Sequence, residues 1–106
     1  MAEIPDRVKK IISRFITELA DNDIKVEQAI LFGSYAQGTF NDWSDIDLAI
    51  VSTAFAGERF SDRDKIRRIK LGVSCDLEPI PYNPVDFNTN NPFVKRILKT
   101  GIRMCP

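Results

Sequence analysis

The chain has no histidine. Imidazole acid–base chemistry and histidine-rich zinc sites are therefore excluded, and any catalysis must run on carboxylates, hydroxyls, Lys or Arg side chains and a bound metal. Cysteine is scarce. Cys75 and Cys105 are the two present, at a spacing that fits neither a disulfide framework nor a metal site. That scarcity makes the cytoplasm the default compartment. Cys75, in a stretch that reads as an apolar strand, is expected in the core. No apolar run approaches the ~18 residues of a membrane span, and the N-terminal residues are charged and amphipathic rather than signal-like. Net charge is missing as well: 15 basic residues face 15 acidic ones, so avid, non-specific nucleic-acid binding is not expected. Repeats, low-complexity segments and linkers are absent. The 106 residues read as a single domain, 1–106, able to bury roughly two thirds of its unfolded surface around one core.

What the chain does have is concentrated between Ala29 and Val51, AILFGSYAQGTFNDWSDIDLAIV. Val26 to Phe32 reads as a strand that alternates early and becomes fully apolar, the pattern of a central strand covered on both faces. Gly33-Ser34 follows at once, then a short helical turn, Tyr35 to Gln37, and Gly38. Without a Cβ, Gly33 lets the backbone turn and approach a ligand closely. Ser34 stands where a helix N-cap would, so its hydroxyl and the next N–H groups can point at a phosphate. After the polar loop Thr39 to Ser44 comes a second strand, Ile46 to Val51. Asp45 and Asp47 lie two apart at its start and share one face, while Ile46, Leu48 and Ile50 take the other. Two adjacent carboxylates repel unless a cation sits between them, and a hard divalent metal prefers oxygen ligands. Taken singly, a Gly-Ser pair is also a plain capped turn, and Asp-x-Asp is also a solvated strand edge.

The rest of the chain supplies a frame. Ile4 to Ala20 places apolar residues three and four apart, an amphipathic helix with Pro5 suited to its first turn and Asp21 to Asp23 as its polar end. Ser61 to Asp64 resembles a capping box opening a helix over Asp62 to Leu71. That helix is rich in Arg and Lys and reads as a solvated face or as a patch for an acidic partner or nucleic acid. Val73 to Ile80 reads as a third strand with Val73, Cys75 and Leu77 on one face and Ser74, Asp76 and Glu78 on the other. Pro79 and Pro81 mark it as an edge strand or a strand end. Asp76 is the acid expected beside Asp45 and Asp47, with Glu78 one step further out. Asn83-Pro84 opens about one turn, and Asn91-Pro92 opens a short helix over Phe93 to Lys99, stopped at Thr100-Gly101. Ile102 to Pro106 forms a tail with no assigned structure.

The order is distinctive: apolar strand, Gly-Ser turn, ten residues between Ser34 and Asp45, Asp-x-Asp entering a second apolar strand, then a third strand with an inward Asp. This arrangement resembles the nucleotidyltransferase superfamily that includes DNA polymerase β, and most of all its minimal nucleotidyltransferases. The likeness covers roughly Ile30 to Phe87, with FGSYAQGTFNDWSDIDLAIV as its specific part and DLEPIPYNPVDF in support. The resemblance implies that Gly33 and Ser34 hold a nucleoside triphosphate. It further implies that Asp45, Asp47 and Asp76 hold two Mg²⁺ ions, and that Asp76 is the base-like member. Two positions depart from the family pattern. Gln37 and Tyr35 stand where basic residues are common, and a neutral amide grips a triphosphate less firmly than a guanidinium.

The expected fold is α/β (α+β), a small mixed sheet of three to four strands with helices mainly on one face and the site at an exposed sheet edge. The resemblance implies a Mg²⁺-dependent transferase moving AMP from ATP to a hydroxyl, specifically a tyrosine of a HEPN-type toxin partner, in an antitoxin role. The alternative is a weak or inactive binding module that neutralises its partner by contact. An RNA- or antibiotic-modifying transferase is disfavoured by the neutral charge and by the lack of a substrate domain. Nucleic acid is therefore not expected as direct substrate, a membrane is not expected as partner, and self-association remains open.

Overall fold

The computed structural model describes residues 3–105. Four helices and four strands follow one another as α1 (Asp6–Asp21), β1 (Gln28–Phe32), α2 (Ser34–Gln37), β2 (Ile46–Val51), α3 (Arg59–Val73), β3 (Leu77–Tyr82), α4 (Pro92–Thr100) and β4 (Ile102–Cys105). The strands form one mixed sheet in the order β3-β2-β1-β4. β1 runs antiparallel to both β2 and β4, and β2 runs parallel to β3. A parallel pair needs a long crossover, and α3 provides it.

The two sheet faces are covered differently. On one, α1 contributes Val8, Ile12, Phe15 and Leu19, which pack with Ile66 of α3 and with Leu31, Ile46, Leu48, Ile50 and Leu77 of the sheet. On the other, Val94 and Ile97 of α4 and Phe87 cover Ile30, Ala49 and Val51. β2 is apolar on both faces apart from Asp47 because it lies inside the sheet, with a core on each side.

Several expected elements stand as read. β2 has the expected bounds, and α1 carries its apolar stripe inward. α4 is capped by Asn91, whose side chain accepts from the N–H groups of Phe93 and Val94, with Pro92 leading the helix. Other elements differ. Pro5 stands just outside α1, its carbonyl accepting from Val8 and Lys9. β1 begins at Gln28 rather than Val26. α3 begins at Arg59, before the expected Ser61 cap. Its cap is Glu58, whose carboxylate accepts from Phe60 and Ser61 at 3.3 and 2.9 Å. Asp62 is 2% exposed and reaches back to accept from Ala56 and Gly57 at 2.8 and 2.9 Å. Two backbone N–H bonds satisfy a buried carboxylate that would otherwise be costly.

β3 starts four residues later than expected, since Val73 still belongs to α3. Cys75 falls in the intervening turn and is exposed and free, not core. The strand runs through Pro79 and Pro81, paired with Leu48 and Ile50. Ile46 donates to the Asp76 carbonyl and Ser52 to the Tyr82 carbonyl, so even-numbered residues of β3 turn their backbone groups toward β2. Both proline nitrogens therefore point away from the ladder, where no N–H is required. The tail is a strand too: Ile102–Cys105 pairs with β1 as β4, while Pro106 lies outside the described residues.

Candidate active site

The site forms where β1 ends and β2 and β3 begin. In the antiparallel register Phe32 stands opposite Asp47, so the turn that follows Phe32 passes beside the start of β2. Gly33 adopts φ +77°, ψ −150°, a conformation open to glycine, and a Cβ there would overlap the Asp47 carboxylate. Glycine at this position thus brings backbone into direct proximity with that carboxylate. Gly33, not Ser34, is the N-cap of α2. Ser34 is the first helical residue, and no side chain caps the helix. Gly38, at φ +77°, ends the single turn in the left-handed conformation.

Asp45 is exposed and immediately precedes β2; Asp47 is partly buried on the face opposite Ile46 and Leu48. In the parallel ladder Asp47 is paired with Glu78. The Asp47 carboxyl is held above the usual carboxylate range, first by burial, then by the charge of Asp45, then by that of Glu78. The charges of Asp45 and Glu78 thus both reach Asp47 at one end of the sheet. Asp76 sits at the entrance to β3, its carbonyl bonded to the N–H of Ile46. Its carboxylate meets Arg7 of α1 at 3.3 Å. Glu78 is also 3.6 Å from Lys70 of α3. Among the described residues, no three acids, histidines or cysteines are already gathered as a metal cage.

Gly33, Ser34, Asp45 and Asp47, all expected at the site from the sequence, lie in one region of the fold. Glu78, expected one step further out than Asp76, is by register the neighbour of Asp47 in β3. Face alternation marked Glu78 as a candidate, but the offset between parallel strands is not written in either strand. Nothing in the local sequence marks Arg7, which reaches the site from α1. Its Nη2 donates to the Tyr35 hydroxyl at 3.2 Å, tying α1 to the residue after Ser34. Tyr35 is buried and stacks on Phe40, ring centroids 4.7 Å apart.

The loop before Asp45 is internally braced. Asn41 donates to the Ser44 hydroxyl, and the Asn41 side chain accepts from the N–H of Trp43, leaving the indole 91% exposed. A cleft of about 670 Å³ bordered by Tyr82, Asn83, Asp86 and Asn91 lies at the far end of β3, away from these acids.

A mixed sheet with paired acids at the head of one strand and a Gly-Ser turn packed against them is the frame of a nucleotidyltransferase. The chain belongs to the nucleotidyltransferase domain family, whose pattern matches residues 12–104. It is 33% identical over 81 residues to a Methanocaldococcus jannaschii protein named "Putative protein adenylyltransferase MJ1305", covering 71% of this chain and 54% of that protein. The chain therefore spans about half the length of that curated relative. Among solved structures, a Sulfolobus solfataricus protein named a "putative nucleotidyltransferase" shares the fold with TM-score 0.68 and 21% identity, over 92% of this chain and 78% of that one. A toxin–antitoxin complex with AMP-PNP superposes with TM-score 0.63 at 24% identity, over 91% of this chain and 71% of that one. An MntA–HpeT toxin–antitoxin complex carrying two Asp-to-Glu substitutions two positions apart superposes with TM-score 0.58 at 25% identity, over 92% and 71%. Among the described residues, no helix is long and apolar enough to cross a membrane.

Proposed function

We propose that this chain is a Mg²⁺-dependent nucleotidyltransferase that moves AMP from ATP to a protein hydroxyl, a tyrosine of a HEPN-type partner whose toxicity it silences. The observation that carries this reading is the contact between Gly33 and Asp47. It sets a turn able to hold phosphate directly against a carboxylate pair able to hold metal. The named relative and the toxin–antitoxin structures support the choice of protein as acceptor.

The donors fit a hard divalent cation, because they are all oxygen, like-charged and close enough to push Asp47 upward. Asp45 and Asp47 would hold two Mg²⁺ ions, with a third carboxylate from the entrance of β3, where Asp76 and Glu78 stand. Bound Mg²⁺ supplies charge neutralisation for the triphosphate and acidifies the acceptor hydroxyl. The chain's own residues do the rest. The Gly33 and Ser34 backbone and the Ser34 hydroxyl orient the phosphates. The carboxylate at the entrance of β3, Asp76 or Glu78, receives the proton as the acceptor oxygen bonds to the α-phosphorus. The bond from the α-phosphorus to the bridging oxygen breaks, and pyrophosphate leaves with those electrons.

The test is transfer of α-labelled AMP to a HEPN-type partner. Label should appear on the partner with wild type and vanish with Asp45→Asn or Asp47→Asn. Comparing Asp76→Asn with Glu78→Gln assigns the third carboxylate, as the true ligand costs far more activity. A second reading, neutralisation by contact alone, is favoured by the uncharged turn GSYAQG. It prevails if wild type and both aspartate variants silence the partner equally and no label moves.

A further inference from the structure

A triphosphate carries several negative charges, yet the segment Gly33 to Gly38 that would hold it contains no charged residue. The structure brings a cation there from elsewhere in the chain. Arg7, in the first turn of α1, donates Nη2 to the Tyr35 hydroxyl at 3.2 Å and Nη1 to the Asp76 carboxylate at 3.3 Å. Tyr35 is 2% exposed, fixed by its stack on Phe40, and directly follows Ser34. The guanidinium is therefore hydrogen-bonded to the most deeply buried residue of the turn. It is also half-exposed, with 53% of the side chain open to solvent. A guanidinium has five donors in a planar fork, and two are engaged here. The remaining donors are free to meet phosphate oxygens, and a fixed fork loses little entropy in doing so.

We propose that Arg7 is the phosphate-binding cation of this site, delivered from α1 and aimed by the Tyr35 hydroxyl and the Asp76 carboxylate. The inference rests on the reading of the Gly33–Ser34 turn as a triphosphate holder. It adds a residue that lies far from that turn in sequence and is joined to it only through the fold. Tyr35 acts here as a positioning residue. Its phenol fixes the guanidinium from a buried side, which explains a polar aromatic where an apolar one would fill the core equally well.

The experiment is calorimetric titration of the full chain with Mg²⁺–ATP, inorganic tripolyphosphate and adenosine. Loss of one charge-assisted contact predicts that Arg7→Gln weakens ATP and tripolyphosphate binding by about 10- to 100-fold and leaves adenosine binding unchanged. Tyr35→Phe keeps the charge but releases its aim, for a loss of about 3-fold. A lysine at position 7 keeps the charge without the fork and falls between wild type and Arg7→Gln, which serves if the glutamine variant folds poorly. Residue 37 lies one helical turn after Ser34, on the same side of α2. Adding Gln37→Arg to Arg7→Gln should therefore recover tripolyphosphate binding. A purely structural role for Arg7 would show no such recovery, and that outcome overturns the proposal. So does unchanged tripolyphosphate affinity in Arg7→Gln when wild type binds ATP, which leaves the transferase reading intact. Wild type that binds neither ATP nor tripolyphosphate sinks both.

Discussion

The two faces of the sheet do different work. One is sealed by α1 and α3 over a deep core that includes Phe15, Leu31, Ile46, Leu48 and Leu77. The other is covered by α4 over a smaller set, Ile30, Ala49, Val51, Phe87, Val94 and Ile97. β2 belongs to both. Its residues Ile46, Leu48 and Ile50 anchor it in the deep core, while the opposite face begins with Asp47 before turning apolar. A strand held firmly from one side can carry an unfavourable carboxylate on the other. Stability and chemistry thus share one strand by dividing its two faces.

That division can be tested by perturbing each face. The largest expected effect is on the deep side: Leu48→Ala should cost about 3–4 kcal/mol in urea unfolding, the lost transfer energy plus a cavity that rigid neighbours cannot fill. Ile97→Ala, on the thin side, should cost about 2 kcal/mol, because α4 can settle toward the sheet. Equal losses would mean that the two faces are not the unequal supports described. Gly33→Ala should cost about 1–3 kcal/mol through its positive φ, and because its Cβ displaces Asp47 it should also abolish stabilisation by Mg²⁺ in thermal melts. Retention of the Mg²⁺ effect in that variant would separate the turn from the acids.

The smallest effect concerns pH. Asp47 titrates above the ordinary carboxylate range when folded. Between the unfolded value and this raised one, the native state binds more protons, so stability falls as pH rises through that window. At neutral pH the ionised group therefore costs a little stability. Asp47→Asn should raise the melting temperature of the metal-free protein slightly at neutral pH and lose that advantage in acid. Mg²⁺ should raise the wild-type melting temperature by mass action and leave the variant's unmoved. A metal-free variant that melts lower than wild type at neutral pH would show that Asp47 is not under repulsion.

Much of this was legible from residue order. The period of Ile4 to Ala20, the bounds of β2 and the Asn91-Pro92 start of α4 are local signals, set by neighbours three or four positions away. What could not be read depends on distant partners. Ile102 to Cys105 is too short to declare itself and becomes a strand because β1 is there to pair with it. Ser61 looks like a cap, but Glu58 takes the role once the buried Asp62 ties the helix start to Ala56 and Gly57. Pro79 and Pro81 read as marking an edge strand or a strand end, and β3 does stand at the edge of the sheet; only the direction in which their nitrogens point is not written locally. Cys75 reads as core only if the strand begins early. In the site itself, the two aspartates and the Gly-Ser turn share one continuous stretch and are visible together. Glu78 and Arg7 reach it through the register of β3 and the packing of α1.

The prolines of β3 have a consequence for assembly. From Leu77 to Pro81 the outward positions are Leu77, Pro79 and Pro81. The Leu77 N–H is already given to the Ser74 carbonyl, and the prolines have none. This border of the sheet offers carbonyl oxygens and no donors. An incoming strand, which needs both in alternation, finds only half of its ladder. The border beside Glu78 is thus shielded from being zipped to another chain. The carbonyl oxygens left along it can still accept from donor side chains, Lys, Arg or hydroxyl groups among them.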